Sequence, residues 1–214
     1  MSRNDYTGAE CIRPGAFRLP GYLSCSEQKA LVDFCLSLGK GETPFYQPVL
    51  RTGARMRLRM LCLGRHWNAR TYKYEAWRSD VDGNPVGPLP RELADLARAV
   101  AGAVGMACDP DIVLINYYEG NGRLGMHQDK DEQPGTIAKG IPVVSISLGD
   151  SAEFLFGGIR RSDPSKKIVL ESGDAFVFGG PSRLCYHGVR RILPGSGPEN
   201  LSIEGRLNLT FRQF

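Results

Sequence analysis

Three histidines occur among the 214 residues, and two of them, His127 and His187, accompany a carboxylate at a spacing that suits a metal. The stretch 'MHQDKDE' at 126–132 contains a His-x-Asp pair. In an extended strand residues i and i+2 project to one face, so His127 and Asp129 aim an imidazole nitrogen and a carboxylate oxygen at one point. A later strand that brings in His187 completes three ligands on one side of an ion and leaves the opposite positions open. Two histidines and one carboxylate with open positions suit Fe(II) in non-haem oxygenases. Taken alone, His-x-Asp has a plainer explanation as a surface turn, since Lys130, Asp131 and Glu132 all favour water. A short motif needs its context.

The C-terminal segment 'GRLNLTFRQF' at 205–214 supplies that context. Leu207, Leu209 and Phe211 alternate with Arg206, Asn208, Thr210 and Arg212, the period-2 pattern of a strand. An edge strand with its polar face in water would explain the alternation. It would not explain why two guanidiniums, an amide and a hydroxyl share one face, and an Arg fork is the group best matched to a carboxylate in a dry site. Upstream, 'DIVLINYY' places Ile112, Leu114, Asn116 and Tyr118 on one face, as a pocket wall requires. These groups fit a dicarboxylate co-substrate that chelates iron at one end and is gripped by Arg at the other.

Four segments, 'INYYEGNGRLGMHQDKDE', 'PVVSISLGDSAEFLFGGIRRSDP', 'LESGDAFVFGGPSRLCYHG' and 'GRLNLTFRQF', together resemble the AlkB family of Fe(II)/2-oxoglutarate-dependent nucleic-acid demethylases, in order over residues 111–214. A looser likeness runs back to residue 12 through 'FYQPVLRTGARMRLRMLCLGRHWN', and 'MLCLGRHW' looks most like plant and other eukaryotic members. The resemblance implies that His127, Asp129 and His187 are the catalytic iron ligands. It implies a 2-oxoglutarate site made by Asn116, Tyr117, Tyr118, Ser145, Phe178, Arg206, Asn208, Thr210 and Arg212. Arg212 is expected to grip the distal carboxylate, and Arg206 to serve the iron-proximal end or Asp129. Trp67, Tyr74, Asp131 and Arg161 match substrate contacts of the family.

The implied reaction consumes 2-oxoglutarate and dioxygen and removes an N-methyl group from 1-methyladenine, 3-methylcytosine or N6-methyladenine in DNA or RNA, releasing succinate, carbon dioxide and formaldehyde. The base is expected single-stranded or flipped out, and roles in the repair of DNA damage or in RNA modification follow. Asp131, two residues beyond an iron ligand, would favour a cationic methylated base by charge attraction. Two other classes stay open: an Fe(II)/2-oxoglutarate hydroxylase acting on a protein side chain or small molecule, and a jelly-roll binding module that keeps a metal only for structure. The second has no use for Arg206 and Arg212 on one inward face.

Residues 44–90 are expected to meet the substrate. In 'ARMRLRMLC' the apolar Met56, Leu58 and Met60 alternate with Arg55, Arg57 and Arg59, a half-buried strand whose basic face is either solvated or a phosphate contact. Trp67, Tyr72, Tyr74 and Trp77 follow within eleven residues, although the chain has only two Trp. Such a cluster either packs or stacks on an extruded base. A hydroxylase of proteins or small molecules would need neither the basic nor the aromatic run.

The elements that position these groups divide into a helical front and a β-rich back. Ser24 and Glu27 form a capping-box pair, and Leu31, Phe34, Cys35 and Leu38 a helical stripe ending at Gly39. A second helix spans Pro90 to Val104, with Leu93, Leu96, Ala97 and Val100 inward. Short strands are predicted at 142–148, 153–158, 167–171, 174–178, 183–189 and 206–213. Many short strands with polar groups facing inward suggest a mostly β fold with flanking helices: a double-stranded β-helix, or jelly roll, with an N-terminal helical and substrate-lid extension. One domain is expected over 1–214, with helical support and a nucleotide-recognition lid at 1–110 and the catalytic jelly roll at 111–214.

Composition agrees without deciding. A net charge of +4 is ordinary, but 20 of the 27 basic residues are Arg, which binds phosphate bidentately and stacks on bases. Six cysteines without a Cys-x-x-Cys pair exclude a zinc ribbon and read as reduced thiols. Cys185 lies two residues before His187, but thiolate favours softer metals than Fe(II). With no apolar run of membrane length and no signal-peptide core in 'MSRNDYTGAECIRPG', an intracellular monomer off the membrane is expected, in nucleus or cytoplasm, an organelle staying open.

Overall fold

Burial of both faces of one strand organises the architecture. The computed structural model describes residues 6–214, so the reading of the extreme N-terminus as lacking a signal sequence rests in part on residues 1–5, outside the described residues. All seven residues of the strand Arg206–Arg212 are buried. An edge strand is thereby excluded: it lies between Ile112–Tyr118 and Val143–Gly149, antiparallel to both. In chain order the strands are β1 (Glu10–Arg13), β2 (Ala16–Leu19), β3 (Arg59–Leu63), β4 (His66–Asn68), β5 (Lys73–Glu75), β6 (Ile112–Tyr118), β7 (Leu124–His127), β8 (Val143–Gly149), β9 (Ser151–Phe156), β10 (Lys166–Leu170), β11 (Ala175–Phe178), β12 (His187–Leu193) and β13 (Arg206–Arg212). The helices are α1 (Cys25–Leu38), α2 (Arg91–Gly102) and the short α3 (Pro134–Ala138).

Seven strands form a major sheet in the order β1-β2-β11-β8-β13-β6-β3, and four form a minor sheet in the order β10-β9-β12-β7. This is the expected jelly roll, and period-2 alternation sorts its two cores. Leu207, Leu209 and Phe211 join Val113, Ile115, Val144, Ile146 and Val177 beneath both long helices. Ile112, Leu114, Phe176 and Phe178 face the other way, against Phe154, Phe156 and Val189 of the minor sheet. The inner space between the sheets also receives the polar residues of β13.

The capping box forms at the start of α1: Ser24 N–H donates to Glu27 Oε2 at 2.9 Å, and the Glu27 N–H to Ser24 Oγ. α1 buries Leu31, Val32 and Cys35, and α2 buries Leu93, Leu96, Ala97 and Val100 among others. One strand is displaced from expectation. Residues 183–186 are not extended; the 3₁₀ turn at Gly180–Ser182 continues through Cys185 N–H to Ser182 O at 2.9 Å, and β12 starts only at His187. Gly180 at φ 51° and the following Pro181 impose that turn. At the other end of the site, Gly64 turns β3 into β4 at φ 81°. Any Cβ there would meet Asp111 O at 1.8 Å, so only glycine lets the β4–β5 hairpin fold back over the site.

Candidate metal and co-substrate site

His127 ends β7, His187 begins β12, and the two are direct cross-strand partners. That register sets the imidazoles side by side, with ring centroids 4.4 Å apart. Asp129 follows β7 by two residues and turns inward, and possible ligand atoms of the three residues lie within 4.8 Å of one another. His127 Nε2 is 3.4 Å from Asp129 Oδ1, and His187 Nε2 is 3.6 Å from Oδ2. Each Nδ1 meets a backbone carbonyl, Gly125 O at 2.9 Å and Cys185 O at 3.0 Å. Those carbonyls select the tautomer with Nδ1 protonated and leave both Nε2 lone pairs for an ion.

Electrostatics favours the ligating forms. Burial alone would raise the Asp129 carboxyl, but Arg212 and His187 hold it well below the usual carboxylate range. Burial, then the neighbouring His127, pushes the His187 imidazole down, against the pull of Asp129. Asp129 Oδ1 accepts Arg212 Nη2 at 2.6 Å, whereas the buried Oδ2 has no hydrogen-bond donor. A buried carboxylate oxygen left over between two imidazole lone pairs is what an Fe(II) ion would complete. Among the described residues this is the one cluster of three metal-capable side chains, and Cys185 is not part of it.

From the triad a cavity of about 780 Å³ runs between the sheets, walled by Asn116, Tyr118, Ser145, Phe178, Asn208, Thr210 and Arg212, among others. Asn208 Nδ2 donates to Ser145 Oγ at 2.7 Å and Thr210 Oγ1 to Asn208 Oδ1 at 3.0 Å, a polar ladder along β13 and β8. Tyr117, expected here, is not. It occupies the opposite face of β6 by strand alternation, its hydroxyl on Glu204 O at 2.8 Å and its ring beside Phe45 and under Arg59.

The two arginines exchange their expected places. Arg212 sits at the metal end, on Asp129, on the Tyr74 hydroxyl and 3.4 Å from Glu132, and despite burial these partners raise its affinity for the proton. Arg206 lies at the far end of β13, 1% exposed, and reaches only neutral groups: Ser147 Oγ at 2.7 Å and the carbonyls of Leu170 and Asp150. Burial pushes its guanidinium down to about 10, partly offset by the neighbouring Tyr118 and Asp174. Its Nε has no hydrogen-bond partner, and among the described residues no carboxylate forms an ion pair with it. A buried cation without a counter-ion is costly unless a ligand supplies one. The distal carboxylate of 2-oxoglutarate would do so, and the donor set fits it.

Two residues that the sequence reading passed over complete the metal end. Glu132, grouped there with water-seeking neighbours, has a fully buried side chain. Arg183 binds its Oε2 at 3.0 Å, donates to Asp129 O at 2.5 Å and to Ile141 O at 2.8 Å, and so ties the ligand loop to the turn before β12. No local signal announces this pair, because its members lie 51 positions apart.

The rim is aromatic and basic. Trp67 on β4 donates Nε1–H to Asp131 Oδ2 at 2.8 Å, and Tyr72 lies edge-on to it at 5.8 Å. Arg161 spans to Met126 O at 3.0 Å and over the Tyr186 ring. Trp67, Tyr72, Asp131 and Arg161 all line the cavity, with Arg55, Met56, Arg57 and Met60. Tyr74 does not. It is 8% exposed, packed on Phe214 with its hydroxyl committed to Arg212, so it supports the site from behind, and Tyr72 takes the exposed position. Arg59 also leaves the expected basic face, held by Glu119 at 2.6 Å. The third histidine, His66, is a fully buried anchor of the hairpin, 2.5 Å from Asp80.

Comparison with known proteins agrees with this geometry. Residues 15–212 match the 2OG-Fe(II) oxygenase superfamily. The chain is 43% identical to the DNA N(6)-methyladenine demethylase ALKBH1C of Arabidopsis thaliana, over 98% of this chain and 50% of that protein. It is 41% identical to the alpha-ketoglutarate-dependent dioxygenase AlkB of Salmonella typhimurium, over 95% of this chain and 92% of that one. A solved structure, OsALKBH1, superposes with a TM-score of 0.90 at 38% identity, covering 96% of this chain and all of that one. The chain spans about half the length of the Arabidopsis relatives.

Proposed function

We propose, from the premise that the chain belongs to the AlkB family of the 2OG-Fe(II) oxygenase superfamily, that it oxidatively demethylates N-methylated bases in DNA or RNA. One observation carries the reading: a single cavity holds the His127–Asp129–His187 triad, opens at the Trp67–Asp131 rim, and is walled inside by Asn208, Thr210 and Tyr118, the last of these the cross-strand partner of Arg206. Fe(II) and 2-oxoglutarate, when bound with dioxygen, supply hydroxylation of a methyl carbon and leave succinate and carbon dioxide. The residues do the rest. His127, Asp129 and His187 hold the metal, and Arg212 fixes Asp129 from behind. Arg206 and Tyr118 receive the distal carboxylate, while Asn208, Thr210 and Ser145 line its path.

Trp67 offers a face for a base, oriented by its bond to Asp131, and the methyl group is thereby aimed at the triad. The hydroxylated N-methyl group is a hemiaminal, which collapses to formaldehyde and the unmodified base. The Asp131 carboxylate favours the cationic 1-methyladenine and 3-methylcytosine. The names of the Arabidopsis relatives bring N6-methyladenine forward as a third substrate. A base taken from a single strand or flipped out of a duplex can reach such a recessed metal, and a monomer accords with the triad and cavity lying in one chain; an intracellular location is part of the same proposal. No helix among the described residues is long and apolar enough to cross a membrane. Formaldehyde and succinate release across oligonucleotides bearing each of the three bases, in DNA and RNA, is the test. Turnover of a peptide or metabolite with none on any oligonucleotide would overturn the proposal.

A further inference from the structure

The turn between β9 and β10, residues 157–165, carries a side chain for which the demethylation chemistry has no use. Ile159 is 58% exposed, although its neighbours in 'GGIRRSDPS' are glycines, arginines and polar residues. The turn is not loose. Gly157 N–H donates to Tyr186 O and Tyr186 N–H to Gly158 O, both at 2.8 Å. Asp163 closes it, its Oδ2 accepting from the Arg160 N–H and its own N–H bonding Arg160 O, each at 3.0 Å. A Cβ on Gly158 would come within 2.1 Å of that carboxylate, so the turn has no slack. Gln128 Nε2 donates to both Ile159 O at 3.3 Å and Leu184 O at 2.7 Å. Ile159 is therefore fastened to residues adjacent to the metal ligands: Gln128 stands between His127 and Asp129, and Tyr186 precedes His187. Gln128, Tyr186 and Arg161 also line the cavity mouth.

A fastened apolar tip with two arginines after it, the second of which lines the cavity, matches a duplex being opened. Flipping a base leaves a gap in the stack and costs free energy, and Ile is among the side chains that enter such gaps. We infer that the 157–165 turn is a wedge: Ile159 packs against the base pair flanking the extruded nucleotide, and Arg160 lies along the adjoining phosphates. The inference rests on the nucleic-acid reading above. A single strand has no stack to prop open, so the wedge acts on duplex substrate alone.

The test compares wild type with Ile159→Ala and Ile159→Leu on one methylated oligonucleotide, single-stranded and annealed, alongside 2-aminopurine fluorescence at the target position of the duplex. Ile159→Ala is expected to lose about tenfold or more on the duplex, and its fluorescence rise, while staying within about twofold on the single strand. Ile159→Leu is expected to keep both activities. Equal activity of Ile159→Ala and wild type on the duplex, or equal loss on both substrates, overturns the wedge. So does a wild-type enzyme that acts on single strands and leaves duplexes untouched. Wild type that neither binds nor demethylates either oligonucleotide overturns the nucleic-acid reading itself, and the wedge with it.

Discussion

At the scale of single residues, the two buried arginines of β13 make opposite predictions although both belong to the polar face of that strand. Arg212 neutralises Asp129 and stands beside Glu132, so Arg212→Ala strands the buried Asp129 carboxylate and leaves Glu132 with Arg183 alone. Breaking a buried pair in this way costs about 3–5 kcal/mol, and the melting temperature is expected to fall with metal affinity. Among the described residues Arg206 has no ion-pair partner, so Arg206→Met should leave the apo fold as stable as before, or more so. Its loss should appear in 2-oxoglutarate affinity, down roughly a hundredfold, or about 3 kcal/mol, by calorimetry with Mn(II) in place of iron. If Arg206→Met melted early and bound 2-oxoglutarate normally, the assignment of the distal carboxylate would be wrong. Among the ligands, His127→Ala, Asp129→Ala and His187→Ala should each lose the metal, and with it 2-oxoglutarate decarboxylation. Far-ultraviolet circular dichroism should show the fold surviving in all three.

At the scale of elements, the β4–β5 hairpin and the basic segment before β3 are expected to separate into parts that touch substrate and parts that brace the site. Arg55 and Arg57 line the cavity mouth, while Arg59 is held by Glu119 under the sheet edge. Replacing Arg55 and Arg57 with Ala should flatten the salt dependence of single-strand binding by about 0.7 per lost phosphate contact, and Arg59→Ala should not. Trp67→Ala is expected to cost about 1–3 kcal/mol of base stacking with the melting temperature nearly unchanged. Tyr74→Ala should do the reverse, lowering stability through Arg212 and sparing oligonucleotide affinity. Equal behaviour of the two aromatic variants would return Tyr74 to the substrate face.

At the scale of the whole molecule, the site is a joint between the two sheets. The minor sheet gives His127 and His187, the major sheet gives Asn208, Thr210, Arg212 and Arg206, and Asp129 bridges them through Arg212. A ligand that closes this joint binds only the folded state, so it stabilises by mass action, about 2.7 kcal/mol at a hundred times its dissociation constant. Mn(II) with 2-oxoglutarate should therefore raise the melting temperature, and a chelator should reverse the rise. Asp129→Ala should show no shift with the same additions. A shift of full size in that variant would place the metal elsewhere.

Much of this was legible in the residues themselves, because side-chain alternation in a strand is local. The period-2 pattern of 206–212 puts Arg206, Asn208, Thr210 and Arg212 on one face whatever the strand pairs with, and His-x-Asp with a distant His names its own chemistry. The capping box of α1 and the apolar stripe of α2 are likewise short-range. The same alternation also excludes Tyr117, which flanks Asn116 and Tyr118 and must point away from them. Which end of β13 meets the metal is a different matter. It depends on the antiparallel register of β7 against β12 and on where Asp129 turns in, and only the fold supplies those. Long-range pairing alone also decided that Glu132 is buried under Arg183, that Tyr74 supports Arg212 while Tyr72 stays exposed, and that Arg59 turns to Glu119. A charge or a ring carries no local sign of its partner. When the partner lies 51 or 138 positions away, only the packed molecule brings the two together.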